Sequence, residues 1–281
     1  MMTFSERIGR VFLLIFVWAG LAFLTIPLAI IVAVSFPETE YLTFPPVGFT
    51  LRWYERFLAD TSYLDAIGLS VSLAVASTAI AVLIGVPAAL AITRSNLPGA
   101  KIINTIFLAP LILPTIVIGA ALLQYASMLG FARSYTALLA GHVVIVVPYI
   151  LRTVLASLAR FDQTLEEASL DLGASAVSTF FLVTLPIIKP GLVAGALFAL
   201  IISWINVELS IFNATATLMP IPVKLFNYVQ YAIDPMVAAI SAGTIYVAIV
   251  AVVLLDIFVG IDRAATPSKY AASPPSHPSR K

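Results

Sequence analysis

The chain has 281 residues, of which 61% are hydrophobic and only 10% charged, and its mean hydropathy is +1.05. Soluble domains carry about 25% charged residues, so the composition excludes one and requires an integral membrane protein. A formal charge of +1 excludes the overall basic bias of a nucleic-acid binder, and the absence of Cys excludes disulfides, thiolate metal sites and cysteine nucleophiles.

Arg7 and Arg10 precede a run of 25 residues without a charge, residues 11–35. A secretory signal has an apolar region of only about 7–15 residues. The run therefore reads as an uncleaved first span, although Ala33-Val34-Ser35 has the small residues of a cleavage site. Five further segments, residues 66–93, 102–127, 137–157, 191–212 and 237–259, reach the length of about 20 residues that a bilayer demands. Six spans put eleven of the fifteen Lys and Arg on the side of both termini and four on the other, which makes that side cytoplasmic. Two segments on the opposite side, residues 36–65 and 213–236, are rich in proline and aromatics and read as interfacial anchors. The tail, residues 264–281, is Pro- and Ser-rich and is expected to be disordered.

The expected order is a cytoplasmic N-terminus at residues 1–10, a six-helix transmembrane domain at 11–263, and the tail. A polar cytoplasmic loop at about residues 160–189 interrupts the domain. In that loop Thr164 and Glu167 have the spacing of a capping box, Gly173 suits a left-handed helix cap, and a second short helix is expected from Ser175 to Thr184, stopped at Pro186. Two short helices with an angled join form a rigid knob. Small Ala168 and Ser169 admit a partner backbone, while Glu166, Glu167 and Asp171 offer acceptors to its Arg or amide groups.

Polar groups inside spans are costly and invite a functional reading. On the fifth span Ser203, Asn206, Ser210 and Asn213 share one face of a regular helix, where they either line a water-filled path or bond to other helices. Glu208, the acid farthest inside a span, falls off that face at 100° per residue. His142 has no second metal ligand nearby and reads as a hydrogen-bonded helix residue. Pro110, Pro114 and Pro148 are expected to kink their helices.

Glu167-Ala168-Ser169, Gly173 and Val183-Thr184-Leu185-Pro186 stand at the spacing of the Glu-Ala-Ala loop, and Ser169 and Val183 depart from its usual Ala and Ile. Together with Ala140-Gly141-His142, with Pro148-Tyr149-Ile150-Leu151-Arg152-Thr153 and with Ala109-Pro110-Leu111-Ile112-Leu113-Pro114, they make the chain resemble the permease subunit of a binding-protein-dependent type I ATP-binding-cassette importer. The resemblance runs from about residue 44 to 262 and is nearest to the spermidine/putrescine group.

It implies an all-α membrane protein of the MetI-like permease fold, with six transmembrane helices and a cytoplasmic coupling-helix loop that includes Leu185 and Pro186. It also implies residence in the bacterial inner membrane and partnership with a second permease, a copy or a paralogue, with two ATPases and with an extracytoplasmic substrate-binding protein. ATP and Mg belong to the partner ATPase: no Lys here follows a Gly, so the chain lacks a Gly-Lys-Ser/Thr phosphate loop and has no cofactor of its own. The implied substrate is a polyamine or related cationic amine, with ferric iron, an aminophosphonate or an amino-acid derivative as alternatives within the class. Related polyamine permeases often carry an acid near the position of Ile205, which this chain lacks. An ion-coupled carrier or channel is the rival from another class, but it would call for inverted repeats and more midplane acids.

Overall fold

The computed structural model describes residues 4–94 and 98–259, so the tail expected to be disordered lies outside the described residues. These form twelve α-helices and no strand: α1 Phe4–Ala33, α2 Arg52–Ala59, α3 Thr61–Arg94, α4 Ala100–Leu108, α5 Thr115–Met128, α6 Tyr135–Leu158, α7 Thr164–Asp171, α8 Ala176–Thr179, α9 Leu185–Ile205, α10 Ser210–Asn213, α11 Ile221–Val229 and α12 Pro235–Val259.

Among the described residues, five helical stretches are long and apolar enough to cross a membrane: Gly9–Ala33, Thr61–Arg94, Tyr135–Leu158, Ala176–Ile205 and Pro235–Val253. A sixth crossing requires α4 and α5 to count as one span. They correspond to the expected third span, but a 3-10 turn at Ala109–Leu111 follows α4 and the helix resumes only after Pro114. The kink expected at Pro110 and Pro114 is thus a full break, because two prolines four residues apart withhold two N–H donors from the helical ladder, even though Ala109 before Pro110 keeps helical dihedrals. Pro148, by contrast, lies inside uninterrupted α6.

The described residues divide into two compact units. The first is drawn from Met1–Ser77, Leu113–His142 and Ile202–Ala248, the second from Thr78–Ile112, Val143–Ile201 and Ile249–Lys281. In the first unit, Trp53 and Phe57 of amphipathic α2 are buried in a cluster with Tyr63, Trp204, Ile221 and Ile240. Burial of Trp53 is completed by its indole N–H, which donates to the Pro37 carbonyl at 2.8 Å, and by Arg52, whose guanidinium carbon lies 4.6 Å from the ring centroid. Interfacial anchoring, expected for this segment, therefore does not describe Trp53 and Phe57, whose rings form core. Exposed Tyr41, Phe44 and Phe49 remain available for that role. Nearby α11 enters the same unit through Ile221, whose backbone N–H donates to Ser70 Oγ at 2.9 Å. Further along, Tyr228 donates to Asp234 at 2.7 Å, and burial, reinforced by that bond, pushes its phenol up to about 12. Residues 9–29 of α1 are exposed to the last side chain.

In the second unit the core is aliphatic, with Ala81, Ala89, Leu151, Val154, Ile188 and Ala199 fully or almost fully buried. Small residues at helix contacts let backbones approach, which is how helices associate when lipid removes the hydrophobic drive between them.

Candidate functional site

The knob between α6 and α9 forms from local signals, with two changes from the expected wiring. Helix α7 begins at Thr164, but the group that serves its start is the Asp162 carboxylate, which accepts the Thr164 N–H at 3.1 Å. Hydrogen bonds from Thr164 hold the Asp162 carboxyl below its ordinary range. The capping box of Thr164 and Glu167 is therefore not made. Glu167 is exposed instead, together with Ala168 and Asp171.

At the other end Gly173 takes φ +90°, its N–H donates to the Leu170 carbonyl at 2.9 Å, and the Ala174 N–H reaches back to Ser169 at 3.1 Å. These are the two bonds of a Schellman cap, available to a residue without a side chain at left-handed φ. Ser175 then caps α8 through its hydroxyl, which accepts the Ser178 N–H at 3.2 Å. The second helix does not stop at Pro186. A π-helical turn, Phe180–Thr184, joins α8 to α9, with Leu185 half-buried and Pro186 exposed in its first turn. The wider turn immediately before the proline relieves the clash between its ring and the carbonyl four residues back.

The knob is tied down by contacts between distant positions. Glu166 pairs with Arg94 Nη1 at the end of α3 and also accepts from Thr184 Oγ1, so it is engaged within the chain rather than offered to a partner. The Arg94 guanidinium carbon lies 5.1 Å from the Phe161 ring centroid, and its Nη2 is buried with no hydrogen-bond acceptor among the described residues. Ser169, where the loop family has Ala, bridges α7 to α8 through Thr179 Oγ1 at 3.0 Å. Arg94 and Thr184 were missed by sequence reasoning, since nothing local marks them as partners of Glu166. Leu172 was missed as well. It is 90% exposed beside Gly173, and an apolar residue next to the cap of a polar segment was its only signal.

Arg94→Gln is expected to lower stability by about 1.5–3 kcal/mol, the usual worth of a charged hydrogen bond. The double exchange Arg94→Glu with Glu166→Arg should recover part of that loss in thermal melts of the purified chain.

The second place where costly polar groups gather is the C-terminal end of α9. The helix ends at Ile205, four irregular residues follow, and α10 begins at Ser210, so the regular span expected to reach residue 212 is broken. Asn206 stabilises the break by accepting the Leu209 N–H on its side-chain Oδ1 at 2.9 Å. Close backbone approach requires glycine at position 119, where a Cβ would lie 2.9 Å from Leu209 Cα, whereas a Cβ on Gly141 would meet the Leu209 side chain, 2.6 Å from Cδ2.

The four residues expected on one helix face are dispersed by the break. Ser203 and Ser210 are buried against His142, at 2.7 Å from Nδ1 and 3.0 Å from Nε2, and buried Asn213 accepts the Arg133 N–H at 3.2 Å. Asn206 is half-buried and spent on the break itself. Glu208 and Ile205 are exposed, and the angular argument that set Glu208 apart no longer applies because the helix is not regular there.

The chain is thus a multi-pass helical membrane protein with an ordered helix–turn–helix knob between two membrane-length helices. The chain belongs to the family described as the binding-protein-dependent transport system inner membrane component, whose model matches residues 81–263. It is 30% identical over 240 residues to the spermidine/putrescine transport system permease protein PotC of Haemophilus influenzae, covering 85% of this chain and 93% of that one. It is 28% identical over 229 residues to the putrescine transport system permease protein PotI of Escherichia coli strain K12, covering 79% and 81%. Among solved structures it resembles a bacterial ABC transporter involved in import of the acidic polysaccharide alginate, with TM-score 0.69, 16% identity and coverage of 95% and 99%. It also resembles the MetNI methionine ABC transporter, with TM-score 0.54, 20% identity and coverage of 73% and 96%. The MetI-like fold expected from the loop motif is the fold observed, and the chain is the permease subunit of an importer.

Proposed function

We propose that this permease forms half of the translocation path for a small cationic amine of the polyamine type, paired with a second permease that is a copy or a paralogue. Two ATPases would dock on the exposed Glu167, Ala168, Asp171 and Leu172 of the two knobs, carrying the ATP and Mg. An extracytoplasmic binding protein would deliver the solute, and the excess of Lys and Arg on one side supports cytoplasmic termini and a cytoplasmic knob. The observation that carries the substrate reading is Glu208, an exposed acid in a helix break at the end of a membrane-length helix. Such a group is expensive in a bilayer unless it faces water, a partner or a passing cation. The names of the polyamine relatives support the same choice.

The experiment is a thermal-shift screen of the partner binding protein co-purified with this chain, against putrescine, spermidine, ferric iron, aminophosphonates and amino-acid derivatives. Selective stabilisation by a diamine or triamine is the expected result. Stabilisation by ferric iron or by an anion alone would reject the amine, and failure to recover any ATPase with the chain would reject the assembly.

A further inference from the structure

His142 is fully buried on α6 and takes no part in the function proposed so far, yet both of its ring nitrogens are engaged, one on each side of the break after α9. The direction of these bonds follows from counting protons. The Ser210 hydroxyl donates to the Asn206 carbonyl at 2.9 Å, a carbonyl left without a helical N–H partner by the break, so toward His142 it can only accept. Nε2 therefore carries the ring proton and donates to Ser210, and Nδ1 of the neutral ring accepts from the Ser203 hydroxyl. Ser203 in turn accepts from Ser77 Oγ at 3.2 Å, a hydroxyl that shares its one proton with the Ala74 carbonyl at 3.3 Å. Four side chains on α3, α6, α9 and α10 thus form one directional chain, running from Ser77 through Ser203, His142 and Ser210 to the Asn206 carbonyl. The chain gives both ring nitrogens of His142 and the Ser203 proton their partners, while Ser77 and Ser210 also reach the Ala74 and Asn206 carbonyls. On either side of it, Gly119 and Gly141 seat Leu209.

We propose that His142 is a positioning residue for the solute path, acting as a clasp across the break. By bonding Ser203 before it and Ser210 after it, the ring holds residues 206–209 in one geometry and so fixes where Glu208 stands. The clasp itself rests only on this geometry; its bearing on transport rests on the cationic-amine reading. An apolar replacement leaves the buried Ser203 hydroxyl proton without its acceptor and takes from Ser210 its link back to α6, and the break is then free to sample other arrangements.

Because the chain has no Cys, a single Val207→Cys thiol reports on the break in the reconstituted assembly. His142→Leu is expected to speed its labelling by a water-soluble maleimide about fivefold or more, as local opening becomes more populated. His142→Gln, whose amide can accept from Ser203 and donate to Ser210, should restore most of the protection. Should His142→Leu fail to assemble, Ser203→Ala removes one arm of the clasp and should speed labelling in the same direction. Unchanged labelling in the variant that assembles would overturn the clasp.

The transport readout is separate. His142→Leu should raise KM for putrescine uptake about tenfold with little change in maximal rate, and should add nothing further in a Glu208→Gln background. A full additional loss in that background would overturn action through Glu208. If Glu208→Gln alone leaves KM unchanged, the cationic-amine reading fails, while the labelling result still decides the clasp.

Discussion

Gly173→Pro is expected to leave the chain in the membrane and to abolish both solute-stimulated ATP hydrolysis and uptake by the reconstituted assembly. Proline holds φ near about −65°, whereas this position sits at +90°, and it lacks the N–H that donates to Leu170. The Schellman cap is lost on both counts, and with it the angle between α7 and α8. The bridge between Ser169 and Thr179 depends on that angle. Exposed Glu167 and Leu172 would then meet the ATPase in the wrong orientation, even if each still touched it. Gly173→Ala keeps the N–H but must pay about 1–2 kcal/mol for left-handed φ, so it should weaken coupling without eliminating it. Normal stimulated hydrolysis in the proline variant would remove the knob from the coupling mechanism.

Glu208→Gln should reduce uptake of a dication more than tenfold and uptake of a monocation by less, with the knob and its ATPase contact untouched. A unit charge at contact distance is worth up to about 4 kcal/mol at an effective dielectric of 20, and the second charge of a diamine deepens the dependence. The substitution keeps size and hydrogen-bonding capacity while removing charge, so the comparison isolates electrostatics. Competition uptake with labelled putrescine against a monoamine of equal length measures the ratio directly. Equal losses for both solutes would show that Glu208 is needed for shape rather than for charge, and no loss for either would take Glu208 off the path and with it the observation that carries the cationic-amine reading.

Hydrophobic runs long enough to span, a glycine at a helix end, and a polar segment between two spans are properties of a few neighbouring residues. For that reason the membrane class, the helical fold and the two-helix knob were legible in the sequence by itself, and the spacing of Glu167, Gly173 and Pro186 pointed to the importer family. Local signals also mislead where two of them compete: the spacing of Thr164 to Glu167 points to a capping box, but Asp162 offers the same chemistry two residues earlier, and Pro186 points to a stop because a π-turn leaves no pattern of its own.

What only the tertiary structure decided is which polar groups are already satisfied. Glu166 is bound by Arg94 from 72 residues away, and Ser203 and Ser210 by His142 from 61 and 68 residues away. The break at residues 206–209 contains neither proline nor glycine. It is held open by Asn206, by the glycines on α5 and α6 and by His142. A buried hydroxyl or carboxylate must find a partner, but the sequence does not say which helix supplies it. Helix packing makes that choice, and so buries Ser203, Ser210 and Asn213 against partners on other segments while Glu208 is left exposed.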